Sequence, residues 1–104
     1  MTTQRVKRHK TISRMSIYIY SWQDQAIHNT AVLNNLSKNE TLLKILLGKS
    51  LKKPDFKEFK KQYPEPLKSQ IQFAYDPLEF DMDKIIPAEA QISKTIRKKL
   101  SEWM

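Results

Sequence analysis

The chain contains no cysteine and a single glycine, Gly48, in 104 residues. Without thiols there is no disulfide, no thiolate zinc site and no cysteine nucleophile, and the composition suits a reducing compartment, so a cytoplasmic location is expected. One glycine, with no Asn-Gly or Asp-Gly pair, leaves few positions suited to the positive φ of tight hairpin turns. That argues against a protein built from many hairpins. Long apolar runs are also missing. Nothing approaches the ~18 consecutive apolar residues of a membrane span, and no span is expected. The apolar stretch after the basic N-terminus is short and broken by Tyr and Ser, unlike a signal peptide core. His9 and His28 are too few and too isolated for zinc. No glycine-rich loop is present to cradle a phosphate. No metal or cofactor is expected.

What the chain does carry is positive charge. The formal net charge is +8, an excess that attracts nucleic acid, an anionic membrane or an acidic protein. Its distribution is uneven. Arg5, Lys7, Arg8, Lys10 and Arg14 occupy the first fourteen residues without an acid. A second group comprises Lys49, Lys52, Lys53, Lys57, Lys60 and Lys61, against Asp55 and Glu58. A third comprises Lys94, Arg97, Lys98 and Lys99. The acids gather instead at Asp76, Glu79, Asp81, Asp83 and Glu89. The length suits one domain, and no repeat or linker divides it; residues 1–104 read as a single helical domain with a basic arm over about 1–11.

The segment "TISRMSIYIYSW" supports two readings. Ile12, Met15, Ile19, Trp22 and Ala26 step by three and four, with Leu33 and Leu36 continuing the stripe, as on one face of a helix. Residues 16–22 also alternate, which suits a strand, and Ile and Tyr favour strands. The helical period accounts for more residues and predicts a long first helix ending near Leu36–Ser37. Asn39 is the expected N-cap of a short apolar helix that stops at Gly48. Pro54 suits the first turn of a third helix, with Phe56, Phe59 and Tyr63 on one face and Lys53, Lys57, Lys60 and Lys61 on the other. Pro64 and Pro66 break it. Leu67, Ile71 and Ala74 suggest a further helical piece, although Ile71, Phe73 and Tyr75 alternate. Residues 76–86 read as an acidic loop. Pro87 opens a last helix whose apolar stripe is Ile92, Ile96, Leu100 and Trp103. The expected fold is an all-α bundle of four or five helices, the alternative an α+β fold with a short strand near 16–22.

Lysines and arginines at helical spacing opposite an apolar stripe let a helix pack with one side and neutralise phosphates with the other. On this basis Arg5, Lys7, Arg8, Lys10, Arg14, Lys53, Lys57, Lys60, Lys61, Lys94, Arg97 and Lys98 are the candidate nucleic-acid contacts. Tyr18 and Tyr20, partly off the main stripe, are candidates for stacking on unpaired bases. Catalytic patterns fare worse. Ser21, Asp24 and His28 are triad residue types, but on one helix without an oxyanion hole they do not make a triad. Asp55, Glu58 and Lys60 echo a nuclease pattern, yet the two acids lie three apart on one predicted helix rather than on paired strands. The acids of 76–83 lack the spacing and the glycine of a calcium loop. They are expected to pair with basic helices in the chain or on a neighbour.

The expected function is a non-catalytic accessory subunit of a ribonucleoprotein or nucleoprotein assembly. It would bind RNA or DNA without sequence specificity, alongside protein partners. In size, charge and expected helicity it is similar to the small helical subunit of multi-subunit CRISPR effector complexes, an architectural analogy carried by no motif. The alternative is a protein–protein adaptor, or a phage-type inhibitor, whose basic face grips an acidic protein. A third is a peripheral membrane binder using residues 5–22.

Overall fold

A computed structural model describes residues 12–64 and 67–104. Arg5, Lys7, Arg8 and Lys10, and with them the basic arm, lie outside the described residues.

The segment expected to form a long first helix divides in two. Ser13–Tyr20 is a strand, β1, and Ser21–Asn34 is a helix, α1. β1 pairs antiparallel with Lys68–Tyr75, β2, in a register that sets Ile17 opposite Ile71 and Met15 opposite Phe73. Burial along β1 has a period of two. Ile17 and Ile19 are buried, while Arg14, Ser16 and Tyr18 are exposed. The all-α expectation is therefore wrong: the described residues form an α+β fold with five helices and a two-stranded sheet. The helical period accounts for Met15, Ile19 and Trp22 but leaves Ile17 off the stripe. Pairing with β2 buries Ile17 and satisfies the strand's amides together. The helical piece expected at 67–74 fails for the same reason, since β2 is the partner that β1 needs. The all-helical architecture behind the analogy with the CRISPR small subunit is lost as well.

The remaining helices are Lys38–Leu46 (α2), Lys57–Gln62 (α3), Met82–Ile85 (α4) and Ile92–Trp103 (α5). α1 ends at Asn35, whose φ of 58° is left-handed, so Leu36 and Ser37 lie beyond it. α2 is capped by Ser37, not Asn39. The Ser37 hydroxyl accepts from the Glu40 amide, and the Glu40 carboxylate accepts from the Ser37 amide. The Ser37 backbone amide, and after it the Ser37 hydroxyl, hold the Glu40 carboxyl below its ordinary pKa. Gly48, at φ 75°, closes α2 as the sequence predicts: its amide donates to Ile45 and that of Lys49 to Lys44. Pro54 precedes α3 rather than entering it, and Pro87 lies in a turn before α5. The predicted stripe of α5 holds, with Ile96 and Leu100 fully buried.

Two apolar cores adjoin. The larger lies on the inner face of the sheet, where Ile17, Ile19 and Phe73 meet Ile27, Leu42, Ile96 and Leu100 from α1, α2 and α5. Phe80 ties the acidic loop to it through an edge contact with Phe73 at 5.7 Å. The smaller joins Trp22 and Ala26 of α1 to Phe56 and Phe59 around α3. Trp103 reaches both cores.

The free edges of the sheet are occupied by side chains. On β1, the Tyr18 amide donates to Ser93 Oγ at 3.0 Å and its carbonyl accepts from Arg97 Nη1 at 2.7 Å. On β2, the Asn39 amide group donates to the Ala74 carbonyl at 2.7 Å and accepts from the Ala74 amide at 2.9 Å. Asn39, expected to cap a helix, instead stands in for a missing strand.

Candidate nucleic-acid interface

Because β1 is a strand, Arg14, Tyr18 and Tyr20 do not lie on the flank of a helix. They share the outward face of the sheet. The register sets Tyr20 opposite Lys68, Tyr18 opposite Gln70, Ser16 opposite Gln72 and Arg14 opposite Ala74. Lys68, Gln70 and Gln72 are exposed. The Gln72 side chain bridges to Ser16 Oγ at 2.9 Å. A helical reading of 67–74 scatters these β2 residues and hides them as a group. The alternation of Ile71, Phe73 and Tyr75 is the signal that finds them.

α5 runs along the free edge of β1 and sets its cations beside this face. Tyr20, Lys94, Arg97, Lys98 and Ser101 line a hollow of about 250 Å³. Arg97 supports the fold: it holds the Tyr18 carbonyl, and its guanidinium carbon lies 5.6 Å from the centre of the Tyr20 ring. Lys94 and Lys98 are exposed, and their side chains make no hydrogen bond or ion pair among the described residues. Gln23, fully buried, fixes the position of α5. Its Oε1 accepts from the Tyr20 amide, and its Nε2 donates to the Arg97 carbonyl and the Ser101 hydroxyl. Nothing in the local pattern signals that role, since a lone Gln beside Trp22 reads as a surface residue.

The α3 lysines are placed differently. Lys53 Nζ donates to the Trp103 carbonyl at 2.8 Å and sits 4.5 Å from the centre of that indole. Lys60 Nζ lies 4.8 Å from the Trp22 ring. Lys57 and Lys61 are exposed on α3. Together Lys53, Lys57 and Lys60 rim a hollow of about 380 Å³ with Pro54, Asp55, Phe56 and Met104 in its lining. So the structure gathers Arg14, Tyr18, Tyr20, Lys94, Arg97 and Lys98 around β1 and its free edge, and the α3 group forms a second surface.

Two of the acids at 76–83 serve their own loop. The Asp76 carboxylate accepts from the Leu78 amide and that of Asp81 from the Lys84 amide, so both cap turns of their own loop. An ion pair joins Lys38 to Asp24. Ser21 Oγ is bonded to Ser69 Oγ, Asp24 is engaged with Lys38, and His28 is exposed, so the three triad types do not converge. Asp55 accepts from the Lys57 amide at the start of α3. Among the described residues no group of His, Asp and Glu is arranged to hold a metal ion, and no helix is long and apolar enough to cross a membrane.

Comparison of the chain with protein-family models, with curated proteins and with solved structures returned no match. The functional reading rests on the geometry of these two surfaces.

Proposed function

We propose that the chain is a non-catalytic, cytoplasmic accessory subunit of a ribonucleoprotein or nucleoprotein assembly, binding RNA or DNA through phosphate contacts without reading sequence. The observation that supports this reading is the pair Lys94 and Lys98. They are exposed, unclaimed by any acid among the described residues, and adjacent to the tyrosine-bearing end of β1. A cation left without an internal partner is available to displace counterions from a phosphate backbone. Lys57, Lys61 and Arg14 extend the same property over neighbouring surfaces. Fluorescence anisotropy with labelled RNA and DNA, between about 50 and 200 mM salt, tests it: affinity should fall steeply with salt, and absence of binding would sink the reading.

A second reading, an adaptor for an acidic protein, draws on the Lys53–Pro54 corner. On one side lies the lysine-rimmed hollow. On the other, His28, Asn29, Val32 and Leu33 line a more apolar one of about 630 Å³, with Val32 68% exposed. Apolar surface beside a cationic rim suits an amphipathic acidic segment. This reading requires a partner that stays bound after nuclease treatment and is lost on Val32→Asp with Leu33→Asp.

A further inference from the structure

We infer that the nucleic acid is single-stranded, and that one of its bases lies on Tyr18 across the outward face of the sheet. This deepens the phosphate-contact reading above and rests on it. Tyr18 is 49% exposed, although both of its backbone groups are committed to α5. Its ring belongs to neither apolar core and to no ring pair among the described residues. The ring therefore adds no core packing, and about half of the residue is left to solvent. Tyr20 differs: half-buried, it is packed against the smaller core and covered by Arg97.

The neighbours of Tyr18 suit an unpaired base. Directly across the sheet is Gln70, exposed, whose amide can donate to and accept from a base edge. Gln72 is steered by its bond to Ser16 and keeps its carbonyl oxygen as an acceptor. Cations border this uncharged strip: Lys68 and Arg14 on the sheet, Lys94 and Lys98 on α5. The arrangement matches a chain with flat bases in the middle and phosphates at the margin. A duplex keeps its base faces inside the stack and would offer the lysines phosphates but give Tyr18 nothing to cover it.

The test compares a labelled oligonucleotide of about ten pyrimidines, a duplex of equal length and an abasic strand of the same charge. The single strand should bind at least about tenfold more tightly than the abasic strand, within the range of base–aromatic stacking. Tyr18→Thr, which keeps strand propensity, should lose a similar factor on the single strand and nothing on the duplex, whereas Tyr18→Phe should retain wild-type binding. Lys94→Gln with Lys98→Gln should weaken all three ligands. Equal, salt-sensitive binding of single, duplex and abasic strands would overturn the stacking inference and leave the phosphate reading standing. Binding to none of them would overturn both. Should Tyr18→Thr fail to fold, the abasic comparison on the intact protein still decides.

Discussion

The two basic surfaces of the molecule employ their cations differently. Around α3, Lys53 and Lys60 rest on the indoles of Trp103 and Trp22, so their charge and stems help cover the smaller core. Along α5, Lys94 and Lys98 form no ion pair and lie over no ring among the described residues, while Arg97 between them pins the edge of β1. A sequence counts these cations equally. The fold separates those that stabilise it from those that are free to meet a ligand.

Gln23 sets the position of α5, and its loss has the largest expected effect. Gln23→Leu leaves the Tyr20 amide and the Arg97 carbonyl without their buried partner, and stability should drop by about 2–4 kcal/mol in urea unfolding. Binding at the α5 surface should suffer with it. Next come the lysines themselves. Lys53→Met and Lys60→Met should each cost about 0.5–1 kcal/mol of stability while leaving the salt dependence of binding nearly unchanged. Lys94→Gln and Lys98→Gln should do the reverse, with melting unaltered and the slope of log affinity against log salt reduced by about one per charge. If all four variants weaken binding alike, the division of labour between the two surfaces is wrong.

The smallest effect lies away from both surfaces. The Glu40 carboxyl is held below its ordinary pKa by its bonds with Ser37. Its contribution is complete above the unfolded-state pKa and is lost as pH falls through the folded-state value. Melting followed by circular dichroism should therefore decline with acidification in this window, and Glu40→Gln should flatten that part of the profile.

Local rules read local structure well. The stop at Gly48, the Phe56–Phe59–Tyr63 face and the apolar stripe of α5 are all legible, because each depends on residues within a turn or two. The failures share one cause. β1 and β2 are each ambiguous alone, and the choice of strand over helix is made by a partner far away in the sequence. Asn39 misleads for the same reason: its amide serves Ala74 on β2 rather than the nearest helix. Of the site, the cations and tyrosines are visible as residue types. Which cations the aromatic rings claim is not, since that depends on where Trp22 and Trp103 come to rest.

The pairing of β1 with β2 also orders events in time. The two strands are joined by a loop that contains α1, α2 and α3, so no short turn can zip them together. The pairing must await closure of that loop, which places the protein toward the slower, non-local end of folding behaviour. During synthesis β1 emerges well before β2, and the Asn39, Ser93 and Arg97 side chains that later block the sheet edges emerge after it. Until they arrive, "SIYIY" is an unpaired, aromatic-rich strand, and the nascent chain is most vulnerable to association at that segment.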